Sequence, residues 1–372
     1  MRTVATALAF TLAATACGSR TALDVDPSPS ADRDAGTFFT TFPCRWSLGL
    51  TVDLAEGGEF GDLTGAVHPT LGQAALLATD RTRHLRVGAI VGVSGTPTTV
   101  RDLSAMPDLE GALFTGTTGY VRQNRGRCLI TSYDADFVIS EGTVWGSAPP
   151  DALCRLTQSD AGQLASVSIR SLGTGEVMQV TGIGGGTVTP RRVAATRADL
   201  DDAYAFHDPV TAITLVAYRL GDQLVYERHV GGSAQAFRRD GAITAMSAAI
   251  DRLRGEMLVL FRERPIGWRL ERLSWIPGEE PAAVTSLSGI GADPVGPLAS
   301  NETEALIPLA DGSLAQVPLA RSELRILEPV DGGAVLDMIV VLRPDDSGGG
   351  LLFTQRRAGG QALRFQSLTC NR

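Results

Sequence analysis

The sequence predicts an all-β fold made by repeating one strand–turn–strand unit. Three observations carry this. Glycine is abundant, 42 of 372 residues, and recurs at short intervals between apolar runs, a pattern of strands and turns rather than long helices. The chain is 44% apolar, enough to bury a full core. The same hairpin-like unit recurs along the chain at a spacing of about 46 residues, which marks a repeat architecture.

The units follow in order. "ALLATDRTRHLRVGAIV" turns near Arg81 to Arg83, and "YVRQNRGRCLITSY" at Asn124 to Arg127. "ASVSIRSLGTGEVMQV" turns at Gly173 to Gly175, and "ITLVAYRLGDQLVYERHV" at Gly221-Asp222. "MLVLFRERPIGWRLERLSW" turns at Pro265 to Gly267, "EALIPLADGSLAQVPLA" at Asp311-Gly312, and "LLFTQRRAGGQALRFQSL" at Gly359-Gly360. Glycine and aspartate at these turns tolerate the positive φ that tight hairpins require. Within a strand the residues alternate: Leu85, Val87, Ala89 and Val91 share one face, His84 and Arg86 the other.

The spacing falls between the periods of WD40 and kelch blades, and the chain resembles those repeat proteins in spacing and pattern, without a WD dipeptide or a kelch double-glycine signature. The resemblance implies a seven-bladed β-propeller of four-stranded blades. A six- or eight-bladed ring, or a sandwich or double-domain β fold, is the alternative. A ring must close without leaving exposed edges. "CRWSLGLTV", Cys44 to Val52, is expected to add the outer strand to the last blade, which ends in "FQSLTC" at Cys370.

The opening residues have a different character. Arg2 and the apolar run Val4 to Ala16 form a charged and then an apolar segment of about a dozen residues, too short to span a bilayer. Residues 1–16 therefore read as a signal peptide. "ATAC", Ala14 to Cys17, resembles a bacterial lipobox, although Ala14 stands where Leu is usual, and the same residues also suit an ordinary signal-peptidase site. "CGSRT" resembles the mature start of lipoproteins of myxobacterial type. The resemblance implies lipidation of Cys17, palmitate included, and a membrane partner reached through the lipid; more than one acyl chain is needed for firm anchoring. Gly18 is not the aspartate of an inner-membrane retention signal, so an outer-membrane lipoprotein is expected, with a secreted or periplasmic protein as the alternative. Residues 17–43 are rich in Ser, Asp and Pro and read as a flexible tether of roughly 25 residues. Residues 44–372 form the propeller domain.

Four cysteines remain beyond Cys17: Cys44, Cys128, Cys154 and Cys370. An even number in an exported chain suggests two disulfides, and four cysteines allow three pairings. Cys128 with Cys154 is the local pair. Cys44 with Cys370 then locks the two ends of the ring, worth roughly 4 to 5 kcal/mol on the loop-entropy model.

Chemistry is sparse. Net charge is −8 and every basic residue is arginine, so the chain is not built to neutralise phosphates and no nucleic-acid partner is expected. Of four histidines, His68, His84, His207 and His229, none stands at metal-ligand spacing; His84 and His229 are expected on exposed strand faces and His207 in a loop. "GVSGT" is not a nucleophile elbow, and "GIGGG" reads as an inter-strand loop. Asp134/Asp136, Asp201/Asp202, Glu279/Glu280 and Asp345/Asp346 are expected as solvated loop charge. Arg252, Arg254, Arg262, Arg264, Arg269 and Arg272, interleaved with Glu256, Glu263 and Glu271, are expected to form cross-strand pairs, with Trp268 and Trp275 in the blade core. No catalytic residue, metal or cofactor is assigned. The expected function is a lipid-anchored binding or scaffolding module for a protein or glycan partner of the envelope or exterior. A propeller hydrolase or lyase acting on glycans or peptides is the alternative.

Overall fold

The structure is a computed structural model. It describes residues 44–371 apart from connecting stretches, with side chains over most of 44–92 and 204–371. The chain divides between Thr40 and Thr41, and the fold below belongs to the second unit. The expected signal peptide, tether and Cys17 lie outside the described residues, as do His68, His84, Asp134/Asp136, Asp345/Asp346, Arg252 and Arg254.

Every element among the described residues is a strand. β1 (Arg45–Gly58) precedes a sheet of β2 (Phe60–Val67), β3 (Gln73–Asp80), β4 (Leu85–Gly92) and β5 (Pro97–Asp102). Next come β6 (Leu109–Thr115), β7 (Thr118–Asn124), β8 (Cys128–Tyr133) and β9 (Thr143–Val144). The third sheet holds β10 (Leu153–Gln158), β11 (Leu164–Leu172), β12 (Gly175–Gly182) and β13 (Arg191–Val193). The fourth holds β14 (Asp199–Asp208), β15 (Ile213–Leu220), β16 (Gln223–Val230) and β17 (Ser233–Arg239). The fifth holds β18 (Ala242–Asp251), β19 (Glu256–Arg264), β20 (Gly267–Leu273) and β21 (Ala282–Ser286). The sixth holds β22 (Ala299–Ser300), β23 (Glu304–Pro308), β24 (Leu314–Pro318) and β25 (Arg325–Leu327). The last sheet joins β26 (Val335–Leu342), β27 (Gly348–Arg357) and β28 (Gly360–Asn371) to β1.

Seven four-stranded antiparallel sheets are thus formed among the described residues. Each repeated unit of the sequence is the second–third hairpin of one sheet. The turns are closed by local chemistry. Gly221 opens its hairpin at φ 59°, where a side chain would be strained. Asp80 Oδ1 accepts from the backbone N–H groups of Thr82 and Arg83, at 3.0 and 3.1 Å, and so fixes the first turn.

First strands lie beside one another: β2 beside β6 and β26, β10 beside β6 and β14, β18 beside β14 and β22, and β22 beside β26. The cores sit between consecutive sheets. Leu76, Ala78, Ala89 and Val91 pack against Ile339, Val341, Leu352 and Phe365. Leu215, Leu224 and Tyr226 pack against Met246, Val259 and Phe261. Burial on both faces is the consequence, and the middle strands β15 and β16 are buried almost throughout. In β4 the expected two unlike faces are both apolar at depth: Ala89 and Val91 are buried on one side and Ile90 on the other. Alternation there chooses which neighbouring sheet a side chain meets, not core against solvent.

β1 pairs along β28, with Trp46 opposite Cys370 and Val52 opposite Phe365, so the two ends of the domain share one sheet. A disulfide joins Cys44 to Cys370, whose Cα atoms lie 5.5 Å apart. Cys128 and Cys154 stand on β8 and β10, and their side chains lie outside the described residues.

Candidate binding face

In an antiparallel sheet the start of the first strand meets the turn between the second and third. In β2, Phe60 opposes Asp80, the residue before the turn at 81–83. Near this end of the first strand the register slips in five sheets: between Gly61 and Thr64, Glu110 and Ala112, Asp199 and Ala203, Ile243 and Ala245, and Val335 and Asp337. Such bulges bend a strand and re-aim its side chains, and they recur beside functional sites.

The charged group at this end is built from two adjacent sheets. Asp62 lies in the β2 bulge at φ 50°, the left-handed region that a side chain rarely adopts. Its carboxylate pairs with Arg81 at 3.3 Å, and the Arg81 backbone N–H donates to Glu59 O at 2.7 Å. Asp337, in the β26 bulge, accepts backbone hydrogen bonds from Leu63 and Met338. Burial raises its pKa to about 6, helped by repulsion from Asp62 and opposed by the two backbone donors and Arg81. Two exposed apolar side chains stand at the same end: Leu336, 38% exposed, in the β26 bulge, and Ile266, 54% exposed, in the β19–β20 turn.

Elsewhere the polar side chains are internal and join sheet to sheet. Glu271, on β20, accepts from Tyr226 at 2.8 Å and pairs with Arg239, both on the preceding sheet. Burial and the Glu271 carboxylate hold the Tyr226 hydroxyl well above its usual pKa, so it stays a donor. Arg228 donates to the carbonyls of Ser274 and Glu279 beyond β20 and stacks over Phe237.

Several expectations are corrected. His229 is not on an exposed face: it is 2% exposed and hydrogen-bonded at 2.8 Å to Glu227, which also accepts from Tyr218. The third strand lies between two neighbouring sheets, so both its faces are internal. His207 stands in β14 rather than a loop, and so do Asp201 and Asp202, where the register slips. The arginine-rich unit does form pairs, Arg269 with Glu263 and Arg272 with Glu256, both at 3.0 Å, but Glu271 is turned inward to the preceding sheet. Trp268 and Trp275 are partly buried against two inter-sheet cores, and Trp268 donates to Asp293 at 3.0 Å. Glu279 and Glu280 are exposed, as expected. Among the described residues no cluster of three or more His, Cys, Asp or Glu side chains is arranged to hold a metal.

Asp62 and Asp337 were not legible as partners. The signal available was a polar residue soon after the start of a first strand, seen in "EFGDL" and "VLDMI" and again at Glu110 and Asp201.

These repeated antiparallel sheets define a protein of β-propeller type, and the likeness to solved structures supports that class. Raptor from Chaetomium thermophilum matches 88% of this chain with a TM-score of 0.61 at 9% identity, and this chain spans 30% of the length of that one. YCF48 from Cyanidioschyzon merolae matches 86% of this chain and 98% of its own with a TM-score of 0.52 at 14% identity. Identities this low carry the fold and say nothing of activity. No protein-family model matches the chain, and no curated protein matches it.

Proposed function

We propose that the chain is a tethered seven-bladed β-propeller that binds or scaffolds a partner at the face bearing the bulges. The observation that carries this is one of direction. β1 enters at Cys44, opposite the end of β28, and runs to Gly58, opposite Gln361 next to the hairpin turn. Residues 1–43 therefore join the domain at the end of the sheets opposite Asp62, Arg81 and Leu336. A module held by that segment presents the bulge face outward. The side-by-side first strands, together with a sheet made from both ends of the chain, support a closed ring.

In this reading Cys17 carries the lipid, residues 17–43 form the tether, and the domain stands on the outer membrane of a bacterial envelope. Mass spectrometry of the mature N-terminus and fractionation of Cys17→Ala test the anchor. The acylated cysteine is expected at the terminus, and the variant is expected in the soluble fraction; a wild-type protein that is already soluble overturns it. The binding face is tested by affinity capture from envelope extracts. Asp62→Arg with Arg81→Glu should lose the partner, while Ile276→Ser, in the turn between β20 and β21 at the other end, should keep it. Equal capture by both removes the assignment.

A hydrolase or lyase is the second reading, favoured by one observation: Asp62 and Asp337, from adjacent sheets, interact at the bulge end, and burial raises the Asp337 pKa to about 6. Turnover of a polysaccharide or peptide that Asp337→Asn abolishes would establish it.

A further inference from the structure

The entry to β1 is held in three ways. Cys44 is bonded through sulfur to Cys370 on β28, in its own sheet. Its carbonyl accepts from Gln316 Nε2 at 3.1 Å, on β24 of the neighbouring sheet. Two residues on, the buried Trp46 donates from Nε1 to Glu304 Oε1 at 2.5 Å. Glu304, on β23, is wholly buried; its other carboxylate oxygen accepts from Gln316, and Asn301 Nδ2 donates to Oε1 at 3.3 Å. The Trp46 ring lies in the core between these two sheets with Leu306, Leu314, Met338 and Phe353.

Past Trp46 the strand stays paired with β28 and is tied to its sheet by Asp53 with Arg364, Glu56 with Arg357 and the buried Leu54, but the ladder is interrupted. Its pairing with β28 is broken by register slips after Leu48, Asp53 and Glu56, and Leu50 is 76% exposed. A pull on residues 1–43 acts on an outermost strand from its end, so the pairs nearest Cys44 bear the load first. The disulfide lies at that point of entry, ahead of the first pair.

We infer that the Glu304–Trp46–Gln316 network docks β1, and that the Cys44–Cys370 disulfide takes the tension applied through residues 1–43 and keeps β1 from peeling. The network makes the disulfide dispensable for placing the strand. The disulfide makes the network immune to pulling, because force entering at Cys44 passes straight to β28, inside the sheet. This deepens the tethered reading above, but its test needs no membrane and fails or succeeds apart from the anchor.

The full chain is held by one handle before Cys44 and one in the exposed Gly221–Asp222 turn, and stretched singly. Cys44→Ser with Cys370→Ser should give an early extension of up to about 5 nm, the contour of the freed 14-residue strand. The oxidised wild type should show none. Identical traces, or an early step in both, overturn the assignment of tension to the disulfide. Docking is read by hydrogen exchange without force. In the double serine variant the Trp46–Leu48 amides should exchange within roughly threefold of the oxidised wild type, and adding Glu304→Gln, which keeps the side chain's size and weakens the acceptor of the Trp46 N–H, should speed them by about tenfold or more. Rapid exchange in the double serine variant alone overturns the docking role of the network.

Discussion

Asp337 and Glu271 are carboxylates in low-dielectric surroundings with different consequences. Burial penalises the Asp337 charge, and Asp62 repels it, more than its backbone donors offset, so its pKa is raised to about 6 in the fold from the ordinary 3.8. The native state therefore binds the proton more tightly, and stability falls as pH rises from about 4 to 6, by at most about 3 kcal/mol. Asp337→Asn keeps an acceptor for Leu63 without the charge. Thermal melts from pH 4 to pH 8 should show the variant the more stable above pH 6 and the slope reduced; an unchanged slope would assign the pH dependence elsewhere. Glu271 instead has Tyr226 and Arg239 as partners. Removing it in Glu271→Leu leaves a buried hydroxyl and a half-buried guanidinium unsatisfied. Chemical denaturation should report a loss of about 3 kcal/mol or more. Gly296 marks a tighter limit: a Cβ there would lie 1.7 Å from Met338 O, so Gly296→Ala must displace β26 or its own loop and should cost about 1–3 kcal/mol in the same assay.

At the scale of elements, the hairpins were readable because their signals are local. A run of apolar residues, a glycine or aspartate turn and a second run specify two paired strands whatever surrounds them, and each such unit is found as the second and third strand of a sheet. First and fourth strands were less legible. β9 and β22 are two residues long, and the bulged first strands mix glycine and aspartate with apolar residues, which blurs the period. β1 was expected only as far as Val52 and runs on to Gly58, because its later residues are paired through bulges rather than by clean alternation. Deleting Arg45–Gly58 would leave β28 as an unpaired edge and expose Phe365 and Leu368. Size-exclusion chromatography of that deletion should show aggregation, and a monomer of native compactness would mean that the outer strand is dispensable.

At the scale of the molecule, the described side chains divide stability among four apolar clusters, each lying between two sheets. Damage to one space is therefore transmitted only through its two sheets until the arrangement opens as a whole. The candidate face belongs to this scale too, since Asp62 and Asp337 are distant in the chain and come from different sheets. His229 shows the same limit in reverse. Its strand was legible, but its burial follows from the presence of a neighbouring sheet that no local pattern reports.

By itself the sequence determined the strand-and-turn repeat and pointed to the meeting of Cys44 with Cys370, one of three possible pairings, because periodicity, turn residues and the need to cover the last edge act along the chain or follow from its ends. Only the tertiary structure decided which polar side chains meet. Trp46 finds Glu304 across 258 residues, and Leu63 finds Asp337, because these contacts depend on how far each sheet is rotated against the next. That rotation is set by packing across the interface and is written in no single repeat.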